Sequence, residues 1–384
     1  MHILLIPDSF KDSISATEIV QQLEQGFSEL DAQISTESCI ASDGGEGFLD
    51  FVKKYVDVTM IPVQTVDPLG RDMVAEYAFA KTCPETTSGA HKTAYIELAK
   101  ASGLELLADA ERNPLLTSTY GTGLQIKDAI KKGATEIYIG LGGSATNDGG
   151  TGIAHALGYE FLDERGSKFV PKGGNLIDIF HINKPASLEL PKIYAINDVD
   201  NVLTGTSGAA HIYGKQKGAS PEEILLLDNG LSSLANVVSR VLKSNETNTP
   251  GSGAAGGSGY GLKTFCNASF IPGVTFLAKL SGIEKRLKEG QIDLIVTGEG
   301  SIDEQTLRGK LVKGVADLGN TYQIPVVAIC GIDQLESNAS IEKLGLKKVF
   351  AVTDLASSKE DSFINATTYI KQLARLIFES SQQS

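Results

Sequence analysis

The sequence predicts an α/β protein of two domains, one a doubly wound layer of parallel strands and helices, the other an α/β insert. Three observations predict it. Five short runs, Ile3–Ile6, Ile137–Ile139, Leu294–Val296, Val326–Ile329 and Val349–Val352, are apolar throughout rather than alternating. Such runs suit strands buried on both faces of a parallel sheet. Each has helix-like sequence near it and ends in Gly, Asp or polar clusters, as a layered α/β fold requires. One long stretch, Val58–Ile96, instead alternates β-branched and polar residues around Pro62, Pro68, Gly70 and Pro84, which suits strands joined by turns.

Taken in order, Ile3–Ile6 is the first buried strand. Thr17–Leu30 places Ile19, Val20, Leu23, Phe27 and Leu30 on one face of a covering helix,. Gly123–Lys131 is a second such helix, and Ile137–Ile139 leads through a glycine tract into a helical pattern at Ile153, Ala154 and Leu157. Glu160–Lys168 resembles a hairpin around Arg165–Gly166, and Lys192–Ile196 is strand-like,. Between Lys243 and Gly261 the composition shifts to Ser, Asn, Thr, Pro and Gly, a loop or domain crossing,. Ser380–Ser384 is expected to fray. These readings divide the chain into 1–57, 97–157 and 262–384 for the doubly wound domain, with 58–96 and 158–261 for the second.

The 384 residues suffice for two to three domains, and 41% hydrophobic with 21% charged residues excludes a disordered chain,. A net charge of −13 with no basic tract makes nucleic acid a poor partner,. No run is apolar for long enough to cross a bilayer, and the first residues lack the basic and apolar regions of a secretory signal,. Cys39, Cys83, Cys266 and Cys330 form no C-x-x-C pair. A cytoplasmic protein with reduced, core-filling thiols is the expectation.

Gly142-Gly143-Ser144-Ala145-Thr146-Asn147-Asp148-Gly149-Gly150 follows a strand and precedes a helix. Glycines let the backbone approach an anion, and a helix's first amides point at it. An N-cap from Asn147 or Asp148 would explain part of the same tract. In a second tract, Gly251 to Gly259, residues Gly251 to Gly256 fit G-x-G-x-x-G, but polar Lys243–Pro250 is not the strand a dinucleotide fold needs,. A linker, an anion site or the start of a tightly packed helix would each suit it. Acidic tracts recur at Asp8-Ser9-Phe10-Lys11, Ser42–Gly47, Asn197–Asn201 and Thr297–Asp303, three of them directly after strands, where open sheets build sites. Carboxylates are hard ligands for magnesium arriving with phosphates. A carboxylate can take a hydroxyl proton while Lys and Arg offset phosphoryl charge, and Lys11 and Arg71 could grip a substrate carboxylate. No P-loop, protein-kinase signature, nucleophile elbow or zinc pair occurs,.

Together these tracts resemble the bacterial glycerate kinases of the type-1 class. The family's P-D-S-F-K-G-S appears as Pro7–Ser13, A-D-G-G-E-G-T as Ser42–Phe48, and D-P-L-G-R as Asp67–Arg71. G-G-S-A-T-N-D-G-G-x-G is intact through Gly152, C-D-V-D-N survives as Asn197–Asn201, and T-G-E-G as Thr297–Gly300. Asp12, Phe48, Asn197 and Ser301 depart from the family pattern. The resemblance implies two α/β domains, one Rossmann- or flavodoxin-like and one with a mixed sheet, with the active site in the cleft between them. It implies ATP- and Mg2+-dependent phosphorylation of D-glycerate, on the 2-hydroxyl in most members; a 3-kinase is the alternative, and a nucleotide- or flavin-dependent oxidoreductase a more distant one. The expected site follows. Asp198, Lys11 and Asp43 are catalytic; Asp8, Ser9 and Arg71 bind substrate. Gly142, Gly143, Ser144, Thr146, Asn147 and Asp148 hold ATP, and Asp43, Asp198 and Glu299 hold the metal. The partners are small molecules, with no nucleic acid or membrane, and the oligomeric state is open.

Overall fold

The computed structural model describes residues 1–10, 13–39, 47–80, 92–303, 306, 311–335 and 337–382, which fall into two compact units, 1–41 with 272–384, and 42–271.

The first unit carries a five-stranded sheet, all parallel, in the order Lys348–Ala351, Val326–Asp333, Leu294–Ile302, His2–Pro7, Ser35–Ser38. Its central strands are apolar without alternation because both faces are covered. On one face Ile3, Leu5, Val296, Val327 and Ile329 pack with Ile19, Leu23 and Phe27 of the helix Ala16–Leu30 and Ile370, Leu373 and Ile377 of the helix Ala366–Gln382. Each such side chain contributes about 1.5–3 kcal/mol of burial. The two helices approach so closely that a Cβ on Gly26 would lie 2.7 Å from Ala374 Cβ. Ser15 starts the first of them with a capping box: Glu18 N donates to Ser15 Oγ, and Ser15 N donates back to Glu18 Oε2,. The last helix runs to Gln382, beyond the point where fraying was expected.

The second unit is built on a six-stranded mixed sheet in the order Ser269–Ile271, Lys192–Ile196, Glu136–Gly140, Thr93–Glu97, Asp72–Ala80, Thr59–Val66. The first four are parallel and the last two antiparallel. Below the sheet the helix Tyr120–Lys131 lies against Thr151–Ala156; a Cβ on Gly123 would meet Ile153 Cα at 2.8 Å. The hairpin read around Arg165–Gly166 is present, joining Glu160–Leu162 to Lys168–Phe169, with Asp163 Oδ1 accepting from Arg165 N and Ser167 N.

The domain boundaries differ from the expectation. Ile137–Ile139 lies in the six-stranded sheet, with 97–157 wholly inside the second unit, and only the first unit is discontinuous. An apolar run reports that a strand is buried on both faces but not which sheet buries it. Cys39, Cys266 and Cys330 are buried, and burial pushes the pKa of the Cys266 thiol up to about 12.

Candidate functional site

In the first unit, Asp8 and Ser9 lie past the carboxyl end of the strand His2–Pro7, the position open α/β sheets use for ligands, while Glu299 lies within the neighbouring strand Leu294–Ile302 rather than after it as the sequence suggested. Pro7 pairs with Gly298 in register, and Asp8 N donates to Gly298 O at 2.8 Å. Asp8 is exposed and turns its Oδ1 to Ser9 N at 2.6 Å. Beside them Glu299 is half-buried, with Oε1 accepting from Thr306 Oγ1 at 2.6 Å. Asp8, Ser9 and Glu299 are therefore brought together. Lys11 and Asp43 lie outside the described residues.

In the second unit, the tract Gly142–Gly150 leaves the end of Glu136–Gly140, and Asp198 lies just past the neighbouring strand Lys192–Ile196; Leu141 N donates to Ile196 O between them. Asp198 is half-buried. Within the tract only Gly142 and Gly143 reach solvent appreciably, while Ser144 is 6% exposed and Thr146, Asn147 and Asp148 are 0%.

Asp148 shows why. Its carboxylate accepts from Thr119 N (2.8 Å), Thr119 Oγ1 (2.9 Å), Gly150 N (3.0 Å) and Gly152 N (3.1 Å). Burial pushes its pKa up, and these same donors pull it down,. The Gly150 and Gly152 amides, expected to face a phosphate, are thus satisfied by the chain's own carboxylate, although Gly150 rather than Asn147 or Asp148 stands at the N-cap,. That corrects the assignment of Asp148 to the nucleotide. Thr146 Oγ1 and both polar atoms of the Asn147 side chain are buried without a hydrogen-bond partner.

The second glycine tract proves to be the tightly packed start of a helix, Ala254–Cys266, preceded by turns rather than a strand. Ala255, Gly256 and Gly257 all have positive φ. A Cβ on Gly256 would lie 1.9 Å from Thr146 O, and Gly149 N donates to Gly256 O at 3.1 Å. These glycines seat one backbone against another.

Arg71 ends a tight turn whose Asp67 Oδ1 accepts from Leu69 N and Arg71 N. Its guanidinium is half-exposed and already paired, to Asp67 through Nε and to Glu111 Oε1 through Nη1 at 2.6 Å. Among the described residues no three His, Cys, Asp or Glu gather as a metal cluster. Magnesium commonly takes only one or two protein carboxylates beside phosphates and water, so a single carboxylate, such as Asp198 of the second unit or Glu299 of the first, has the oxygen chemistry that fits it. No helix of the described residues is long and apolar enough to cross a membrane.

The Glycerate kinase family model matches residues 3–382. This chain belongs to the glycerate kinase family. It is 37% identical over 383 residues to a glycerate kinase of Bacillus subtilis (strain 168), covering 99% of this chain and 97% of that one. It is 37% identical over 382 residues to a glycerate 2-kinase of Escherichia coli (strain K12), covering 98% and 97%. A crystal structure from Salmonella typhimurium LT2, assigned provisionally as glycerate kinase 2, superposes with a TM-score of 0.74 at 35% identity over 100% of both chains.

Sequence reasoning missed Lys217. It sits in a polar Lys-Gln-Lys turn that looks solvent-facing, yet it is 2% exposed and its Nζ donates to Ser144 Oγ and Thr146 O, each at 2.7 Å. Nothing in the local pattern separates it from its exposed neighbour Lys215.

Proposed function

We propose that the chain transfers the γ-phosphoryl group of ATP, in the presence of Mg2+, to the 2-hydroxyl of D-glycerate. Membership of the glycerate kinase family across residues 3–382 carries this reading. The name of the Escherichia coli relative, glycerate 2-kinase, favours the 2-position over the 3-position.

In this reading the exposed backbone of Gly142 and Gly143, with Ser144, lines the nucleotide's phosphates, while Thr146 and Asn147 shape the loop from within. Asp198, past the end of its strand, takes the proton of the attacking hydroxyl. Lys11 and Asp43 are read as catalytic, and Asp8 and Ser9 of the first unit and Arg71 of the second as groups for glycerate, each within its own unit. Arg71 would grip the substrate carboxylate in competition with Glu111, its exposed partner. Asp43, Asp198 or Glu299 would supply a carboxylate to magnesium, which when bound offsets the charge of the transferring group.

A coupled assay tests it. The protein receives ATP, Mg2+ and D-glycerate, with enolase as the sole consumer of product. Phosphoenolpyruvate formed with enolase alone indicates 2-phosphoglycerate. Formation only after a mutase is added indicates the 3-isomer, and no ADP formation in either arm refutes the kinase reading.

A further inference from the structure

Lys217 carries an inference of its own. A fully buried lysine is rare because its charge resists leaving water, and burial pushes this one down to about 7, against an upward pull from Asp148. Its two acceptors, Ser144 Oγ and Thr146 O, flank Ala145 at the base of the solvent-reached part of the glycine tract. Lys217 ends the turn Lys215–Lys217, which follows the helix Ala209–Tyr213. At the end of the helix that leads into this turn, Tyr213 OH donates to Asn201 Oδ1 at 2.6 Å, and Asn201 Nδ2 donates to Ser207 O, ahead of the helix's start, at 2.9 Å. Asn201 closes the segment that contains Asp198. One short run, 201–217, is therefore fastened to the Asp198 segment at one end and to the glycine tract at the other. The turn has no room to slide, because Gly218 has φ +94° and a Cβ there would lie 2.1 Å from Arg112 O.

We propose that Lys217 is a positioning residue for phosphoryl transfer: it holds Ser144 and Thr146 so that the Gly142–Ser144 rim keeps one shape for a nucleotide's phosphates. The proposal rests on the reading that this rim holds the nucleotide. Either protonation state serves, since an ammonium donates to both oxygens and a neutral amine donates to Thr146 O while accepting from Ser144 Oγ. Outer residues that orient contacting groups without touching the ligand act in this way.

The test uses the full chain carrying Lys217→Met, with steady-state kinetics and calorimetric titration of ADP. The expected result is a KM for ATP and a Kd for ADP at least tenfold higher, with KM for glycerate within threefold of wild type. Ser144→Ala completes a double-mutant cycle. If Lys217 acts through Ser144, the double variant binds ADP no more weakly than Lys217→Met alone. Should Lys217→Met fail to fold, Lys217→Gln takes its place in the cycle. An unchanged Kd for ADP, or fully additive effects, overturns the proposal. Gly143→Ala separates the two levels. If it leaves ADP binding unchanged, the rim reading falls and the Lys217 proposal with it; if it weakens binding while the Lys217 variant does not, only the Lys217 proposal falls.

Discussion

Gly256→Ala probes the contact on which the second unit's two glycine tracts depend. Alanine at φ +67° adds about 1–2 kcal/mol of left-handed backbone cost. Its Cβ would also start 1.9 Å from Thr146 O and 2.8 Å from Asn147 Cα. Both are backbone atoms, so no side chain can swing away, and relief requires the tracts to separate by more than an ångström. Forced overpacking of this kind costs about 1–3 kcal/mol. Weakening of the Gly149 N to Gly256 O bond adds about 0.5–1.5 kcal/mol. The expected loss is then about 3–6 kcal/mol, or roughly 6–20 °C in Tm. Gly166→Ala is the control, because it has φ +79° with nothing within 4 Å, so only the backbone cost applies. Urea unfolding of both variants beside wild type reads the difference. If Gly256→Ala unfolds at the same midpoint as Gly166→Ala, the tracts do not pack backbone to backbone and the reasoning fails.

Asp148→Asn keeps the shape but turns an acceptor-only group into one whose amide faces donors, and it removes the charge opposite Lys217. It should lose about 2–4 kcal/mol in chemical denaturation, and wild-type stability would show that these bonds carry little. For pH, the sign follows from proton counts. Lys217 is held at about 7 when folded against 10.5 when unfolded, so between those values the unfolded chain binds more protons and stability rises with pH. That slope is at most about 1.4 kcal/mol per pH unit, and it should vanish from denaturation curves of Lys217→Met. Arg71→Ala removes half-exposed ion pairs and should change stability by less than about 1 kcal/mol. It should nonetheless raise KM for glycerate about tenfold without altering KM for ATP; an unchanged glycerate KM would make Arg71 a turn anchor only.

Much of the fold was legible because hydrophobic patterning is a local record of burial. Ile3–Ile6, Leu294–Val296, Val326–Ile329 and Val349–Val352 mark four strands of one parallel sheet, and Val58–Ile96 marks the antiparallel edge of the other. The motif order from Pro7 to Gly300 likewise marked the family, since colinear short matches depend on residue identity alone. Assignment of Ile137–Ile139 to a sheet was not legible, because two buried strands from different sheets have the same composition.

The same boundary runs through the site. Sequence alone determined that the tracts at Asp8, Gly142 and Asp198 follow strand ends, where backbone and acidic oxygens become available for a ligand, whereas Thr297–Ile302 proved to continue its strand. Only tertiary structure decided which of those groups face outward. Asp148 spends its oxygens on Thr119, Gly150 and Gly152, whereas Gly142 and Gly143 reach water. Lys217 enters the site's support from 71 or more residues away in sequence. A hydrogen bond across that separation depends on where the chain returns in space, and no local pattern of residues records it.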